Sequence, residues 1–442
     1  MKLKKRSLVI ILLLVLTTGV TMVAAYTMMI KSTTTPKLAQ TTTDSLQKSA
    51  CVFKTIFGEE SSDSNFIYKT PAKVQSAITE AMEWMAKAQL PDGGWGSGSH
   101  YHQEIMDPHE VKADPATTAI VLMSLLRCQN TPTSGQYAAN LNKAVNFLLL
   151  AVENSPDESP NITDMQGTQP QIKLGGSIDV ILTSQFLTNL LDDIDNNPNL
   201  KSRVKKCINK CVAKIQKSQD VNGSFKSSGW AGVLQSSLAN NALETAQEKG
   251  VNVDTMVLAK SRDYQKGNLD LTTGNVKTDM GAGVMLYSIS SSGRASAKEA
   301  KVAKEEIEQA KNTGKLAKDD TVTAANLQKI GYSYSAANKY ATAYNVNQSS
   351  KQIAQRDDVM NGFGSNGGEE FLSYLQTGEG MIVSKDNDWK KWYDNVSGKL
   401  LKIQNNNGSW NGHHCITSPV FCTATCLLIL SVNNDVEHLL QL

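Results

Sequence analysis

The sequence predicts an all-α fold, an (α/α)6 toroid of about six helical hairpins closed into a double ring, behind an N-terminal signal or membrane-anchor helix. Three observations predict it. A helix end, a glycine turn, an aromatic residue and a new helix follow one another three times, at Gln89, Gly93 and Trp95, at Gln219, Gly223 and Phe225, and at Gln404, Gly408 and Trp410. This is an internal repeat and governs the rest of the reading. Amphipathic helices alternate with helices that are apolar on nearly every side, and the second kind must be buried in a larger assembly. No alternating strand pattern of useful length occurs after the N-terminal run.

At the amino end, Lys2, Lys4, Lys5 and Arg6 precede an uncharged run over residues 7–30. That is the pattern of an export signal with its positive flank held in the cytoplasm. The small residues Val23, Ala24 and Ala25 suit a signal peptidase, and the run is also long enough to span a bilayer as an anchor. The expectation is an exported protein, in the periplasm, on the cell surface or secreted, with membrane attachment through residues 7–30 if the signal is retained. Residues 31–69 read as a Thr-rich tether and extension with too little apolar content to fold, and residues 70–442 as the toroid.

Along the toroid, Val74, Ile78, Met82 and Met85 recur at helical spacing and make an outer helix that ends at the Pro91-Asp92-Gly93-Gly94 turn. Asp114 and Pro115 then provide the cap and first position of an inner helix running through Leu122. The alternation continues with outer helices at about 138–152, 200–219, 253–266 and 389–404. Inner helices are expected at about 176–191, 230–243, 279–289, 368–375 and 421–430, with long polar outer helices over 297–344. Hairpins with one apolar helix each cannot bury those helices as isolated pairs; they must stack, and ring closure sets every inner helix against another.

Of the 442 residues, 40% are apolar and 19% charged, with a net charge of +2. Lysines spread over helix surfaces give no nucleic-acid footprint, so no nucleic-acid partner is expected. Seven cysteines are too few and too irregularly spaced for a disulfide scaffold. Cys207 and Cys211, one helical turn apart, read as inward-facing helix residues.

The Gln-to-aromatic turns resemble the QW motifs of the terpenoid cyclase and protein prenyltransferase toroids, particularly the squalene-hopene cyclase type. The likeness runs from about Pro71 to Leu442, and three of the six repeats carry the motif. It implies the toroid fold, a glutamine that ties a helix end to its neighbour and an aromatic ring packed in the turn. For chemistry it implies less. The cyclase Asp-x-Asp-Asp cluster runs into Thr-Ala at the head of an inner helix; aligned on Thr118-Ala119, Asp114 matches the first acid but Ala116 and Thr117 stand where the others belong. Asp192, Asp193 and Asp195 are acidic in the wrong order at a helix's far end and read as a solvated segment. Classical cyclisation is therefore not expected, and 6% aromatic content also argues against a ring-lined cavity. The prenyltransferase zinc site uses Asp-x-Cys and a later His. Here Phe371, after Glu369 and Glu370, replaces the Cys, and Cys422 replaces the His.

Two clusters of polar residues fall at the mouths of the first and last repeats. His413, His414, Cys415 and Cys422 are ligand types that suit zinc; structural roles and a Cys415–Cys422 disulfide are the alternatives. His100, His102, Asp107, His109 and Asp114 occupy the matching loop of the first repeat, and ring closure is expected to bring the two loops to one pocket. The bland reading is helix capping and loop hydrogen bonding. The functional one makes His100, His102, Asp114, Glu369 and Glu370 candidates for acid-base catalysis. Asp179, Trp230 and Asp279, on otherwise apolar inner segments, are candidate cavity residues, with Gln235, Asn240 and Asn241 needing partners or a wet cavity. The function expected is an exported toroid with a polar central cavity, zinc being its candidate cofactor and an unknown small molecule or envelope protein its partner. Whether it is an enzyme is left open by the sequence. The alternatives are a non-catalytic cell-envelope binding or scaffold module and a terpenoid cyclase.

Overall fold

In the computed structural model residues 66–225, 228–362, 364 and 366–441 are described. The export segment and most of the tether lie outside the described residues. The end of the expected tether, however, belongs to the folded part. Phe66 is buried, and Tyr68 stands edge-on to Trp389 and Tyr393 while its hydroxyl donates to Asp394 Oδ1 at 2.7 Å.

Six outer helices carry their apolar residues on one face: α1 (Ala72–Lys87), α3 (Ala138–Asn154), α6 (Pro198–Lys217), α8 (Thr255–Lys266), α11 (Tyr334–Ala354) and α14 (Trp389–Lys402). Six inner helices are α2 (Pro115–Arg127), α5 (Ile178–Leu190), α7 (Gly232–Glu248), α9 (Met285–Asn312), α13 (Gly368–Val383) and α15 (Pro419–Leu430). Short helices α4 (Gln169–Lys173), α10 (Ala324–Lys329), α12 (Asp357–Met360) and α16 (Val436–Gln441) complete the chain. The contrast in burial follows composition: α1 buries Val74, Ile78, Met82 and Met85 on one side, whereas α15 is buried at every position. Among the described residues there is no strand, only isolated bridges such as Ser99 with Thr168.

Around the axis α2 packs on α5, α5 on α7, α7 on α9, α9 on α13, α13 on α15 and α15 on α2, which closes the inner ring. Outside it, α3 covers α2, α6 covers α5 and α8 lies over α7 and α9. The first outer helix, α1, sits against the last hairpin, α14 and α15, across the seam between the chain's two ends.

The repeated turns build this seam and two of its equivalents. Gln89 Nε2 donates to Gly93 O at 2.7 Å within its own turn and to Asn140 O at 2.9 Å on α3, the next outer helix. Gln219 Nε2 does the same toward Gly223 O (3.3 Å) and Val257 O on α8 (2.8 Å). Gln404 Nε2 reaches Gly408 O at 2.9 Å and Ala77 O on α1 at 3.1 Å, which ties the last turn to the first helix. The indoles of Trp95 and Trp410, both fully buried, donate back to Met85 O and Leu400 O at 2.9 Å. Their backbone N–H groups bond Thr118 Oγ1 (2.9 Å) and Thr423 Oγ1 (2.8 Å) on the following inner helix. Phe225 has no indole donor, and its backbone N–H finds Ser236 Oγ at 3.0 Å.

Glycine is required in these turns twice over. Gly408 has φ +88°, and a Cβ there would lie 2.8 Å from the backbone oxygen of Glu80 on α1. Gly223, at φ +92°, would set a Cβ 2.3 Å from Lys260 O on α8.

One stretch departs from the sequence reading. Instead of an inner helix ending near Ile289 and polar helices starting at Ala297, α9 runs unbroken over Met285–Asn312. Within the Ser-Gly run the buried hydroxyls are satisfied by carbonyls one turn back, Ser291 to Tyr287 O at 2.7 Å and Ser296 to Ser292 O at 2.7 Å. Its small side chains also let neighbours approach: a Cβ on Gly293 would touch Ser350 on α11, and one on Gly380 of α13 would lie 3.2 Å from Arg294 Cα. Beyond the ring, the far half of α9 packs on α10 and α11 around a separate cluster that includes Ile307, Leu316 and Leu327.

Gly408→Ala should destabilise the protein by about 2 kcal/mol or more, from a left-handed backbone and a backbone clash. Gln404→Ala should cost about 1 kcal/mol, one hydrogen-bonding side chain. Urea denaturation of both variants checks the order; a neutral Gly408→Ala would show that the turn does not abut α1.

Candidate functional site

The lumen of the ring has two ends of different character. At the amino ends of the inner helices lie the acids that the sequence singles out, each held by backbone. Asp114 caps α2: Oδ1 accepts Thr117 N at 2.8 Å, and Oδ2 accepts Ser97 N at 3.0 Å and Thr117 Oγ1 at 2.8 Å. Asp179 is 1% exposed and accepts Ile162 N at 2.8 Å; burial pushes its carboxyl up to about 7. Glu370 accepts Gly367 N at 2.9 Å and the Tyr287 hydroxyl at 2.6 Å, with His414 Nε2 at 3.9 Å. Glu369 accepts Ile416 N at 3.3 Å. Burial first, then the neighbouring Glu370, pushes the Glu369 carboxyl up to about 8.

Ring closure does bring the first and last loops together, through amides and hydroxyls. Gln169 Oε1 on α4 accepts Thr417 N at 2.8 Å and Ser418 N at 3.1 Å, and Thr417 Oγ1 donates to Gln103 O at 2.9 Å. The imidazoles sit outside this knot. His102 is exposed beside Glu104 at 3.2 Å, His100 contacts Gln103 Nε2 at 2.6 Å, and the exposed His413 bonds Asn366 O through its backbone N–H at 2.8 Å. His109 follows the Asp107 cap, which accepts its N–H at 2.9 Å.

The candidate ligands His413, His414, Cys415 and Cys422 are placed as follows. Cys422 is buried and its thiol donates to Ile416 O at 3.4 Å, while burial raises it well above an ordinary thiol. Cys415, at φ +62°, is likewise raised by burial, to about 12. Among the described residues no group of three His, Cys, Asp or Glu side chains is arranged around a common point. Both thiols are free, as are Cys207 and Cys211. Two expected cavity residues also lie elsewhere: Trp230 is 57% exposed with Lys173 Nζ 4.2 Å from its ring centroid, and Asp279 is exposed in the turn before α9.

The cavity is at the other end. About 300 Å3 of space opens from the middle of the inner helices toward their carboxyl ends, walled by side chains from α2, α5, α7, α9, α13 and α15, and by the chain's C-terminal segment. Its deeper wall is apolar, with Ile120, Leu182, Leu238 and Leu372. One to two turns further along the same helices the wall turns polar and charged, with Arg127, Gln185, Asn241 and Glu379, joined by Arg294 of α9. Arg127 donates to Glu379 Oε1 at 2.7 Å and Asp435 Oδ2 at 2.6 Å. Arg294 donates to Glu244 Oε2 at 3.1 Å, and Arg262 also pairs with Glu244. Burial lowers the Arg127 guanidinium's affinity for its proton, but Asp435 and Glu379 more than reverse that. Burial likewise opposes ionisation of Glu244, yet Arg262 and Arg294 hold it below the usual carboxylate range.

Asp435 belongs to the C-terminal segment that covers part of the mouth, so its pairing with Arg127 ties that segment to α2. Two further bonds hold the segment down: Asn434 Nδ2 donates to Arg127 O at 3.0 Å, and Leu440 O accepts Lys301 Nζ at 2.5 Å. Asp192 and Asp193, which the sequence presents as merely solvated, border the opening, where Lys249 pairs with Asp192 at 2.6 Å. Of the polar residues singled out by sequence, Asn241 lies in this wall. The charged network leaves no mark in the periodic pattern, because its members come from helices far apart in the chain.

No protein-family model and no curated protein matches the chain. Among solved structures it is similar to the apo form of the type II terpene cyclase MstE from Scytonema, at 11% identity and TM-score 0.44, over 82% of this chain and 98% of that one.

Glu369 makes stability depend on pH. Its carboxyl keeps a proton in the folded chain that the unfolded chain releases near its ordinary value, so stability falls as pH rises from about 4.5 toward about 8. Glu369→Gln, which stays neutral, should lose less stability than the native chain between about pH 5 and about pH 9, by on the order of a few kcal/mol. Urea titrations at both pH values measure it; parallel losses in the two proteins would contradict the assignment.

Proposed function

We propose that the protein is a binding module of the cell envelope, whose small-molecule ligand occupies the cavity at the carboxyl ends of the inner helices. One observation carries this reading: all six inner helices contribute to a cavity whose wall includes a buried side-chain oxygen, Asn241 Oδ1, with no hydrogen-bond partner. A buried orphan acceptor is costly, and a ligand or water that satisfies it is favoured. The volume is at the lower end of the range for small-molecule sites.

Binding is favoured over cyclase chemistry by the wall itself. It contains no Phe, Tyr or Trp among the described residues to stabilise a carbocation. The acids that could donate a proton are not in the wall: Glu369 and Asp179 lie one turn before the floor residues Leu372 and Leu182 and are held by backbone N–H groups of neighbouring loops. Asp114 has both oxygens committed to backbone and Thr117. Placement in the envelope rests on the basic flank and the uncharged run over residues 7–30.

The full-length chain, recovered from the envelope fraction rather than the cytosol, should bind 1-hexanol with a roughly millimolar dissociation constant by calorimetry. Leu238→Trp, which fills the apolar end, should abolish that binding with the melting transition retained. Uptake unchanged in Leu238→Trp would place the hexanol elsewhere and remove the proposal.

A further inference from the structure

The charges around the cavity are not balanced. Arg127 and Arg294 face four carboxylates in its wall, those of Asp192, Asp193, Glu379 and Asp435. Lys249 answers Asp192, and the Arg262–Glu244 pair behind Arg294 adds no net charge. Leaving aside His438, which bonds Asp435 Oδ1 through Nδ1 at 3.2 Å, one carboxylate is left over. The acids are also the better exposed partners: Glu379 and Asp435 side chains are 14% and 23% accessible, against 9% for Arg127 and 3% for Arg294. A ligand therefore meets carboxylate oxygens ahead of guanidinium.

Hydrogen-bonding capacity points the same way. The Gln185 amide donates to Asn189 Oδ1 at 3.0 Å and to Thr245 Oγ1 at 3.1 Å, so its protons are spent within the wall. Thr245 in turn donates to Asn241 O at 3.0 Å. Asn241, only 7% exposed, keeps Oδ1 as an acceptor without a partner. Arg294 Nε also lacks a hydrogen-bond partner, but it lies 3.9 Å from Glu379 Oε2 on a side chain only 3% exposed, so the spare acceptor and the better exposed carboxylates suit a group that brings N–H and positive charge.

The register of the helices orders these features by depth. Ile120, Leu182, Leu238 and Leu372 precede Arg127, Gln185, Asn241 and Glu379 by three to seven residues on their respective helices, so an apolar floor lies beneath a polar collar. From this geometry we propose that the cavity takes a small organic cation, an ammonium group carried on an apolar stem, with the stem on the leucine floor and the ammonium at the collar. The proposal rests on the reading of the cavity as a binding site.

Three probes of equal stem length separate the terms: hexylammonium, hexanoate and 1-hexanol, titrated calorimetrically into the full-length chain at about pH 8, where an ordinary histidine is neutral. Hexylammonium should bind at least about tenfold more tightly than hexanoate, and more tightly than hexanol. Asp193→Asn, which removes the surplus charge at the rim and leaves the arginine network intact, should reduce that preference several-fold while hexanol binding is kept. Hexanoate binding as well as or better than hexylammonium overturns the cation assignment and leaves the cavity reading standing. An Asp193→Asn variant with an unchanged preference overturns the charge argument. If none of the three probes binds, the cavity reading fails and this inference with it.

Discussion

A single side-chain amide sets the geometry of the ring. In each Gln-to-aromatic turn, the glutamine spends one donor group on its own turn and on a carbonyl of the next outer helix, so a local fold and a neighbour's position are fixed together. The glycine of the turn faces that same neighbour's backbone with no room for a Cβ. Gln404 makes the contact across the largest separation in sequence, from the last hairpin to α1. The loop-closure entropy of almost the whole folded chain is opposed there by a contact that is otherwise ordinary between adjacent hairpins.

Closure determines what the lumen can be. Six helices in a ring direct their amino ends to one mouth and their carboxyl ends to the other. The amino end is filled: acids cap helices, Gln169 bridges the loops, and thiols are buried as neutral groups. Burial, joined for Glu369 by the neighbouring Glu370, raises the Glu369 carboxyl to about 8 and the Asp179 carboxyl to about 7. At the carboxyl end the arginines and Lys249 each pair with an acid, with one carboxylate over, and Arg262 and Arg294 hold Glu244 ionised. The open space lies there, and a chain of acids and arginines holds the C-terminal segment across part of it.

The fold is legible in the sequence because ring and repeat are written in period and burial. All-round apolar stretches such as residues 421–430 have only one place to go, and Gln404, Gly408 and Trp410 name the turn that leads there. The charged wall is not legible, for a definite reason. The apolar pattern can be followed to Leu122, Leu243, Ile289, Leu375 and Leu430, whereas Arg127, Glu244, Arg294, Glu379 and Asp435 stand just beyond those points on the same or the next element. A charge at the end of an apolar run looks like a helix terminus, and Arg127, in the last turn of α2, also fits a favourable dipole position. Only pairing between helices remote in sequence shows that these residues converge. The histidines mislead in the opposite sense: their concentration in two loops that do meet reflects the meeting of backbone, amide and hydroxyl groups at Gln103, Gln169 and Thr417.

Native-state hydrogen exchange on the full-length chain tests closure most directly. If the Gln404 turn joins the two chain ends into one cooperative ring, core amides of α1 and α15 exchange only through global unfolding, with the same free energy and the same denaturant dependence. If α1 exchanges in a separate step of lower free energy, the seam is a passive contact and the ring is held by its inner helices alone.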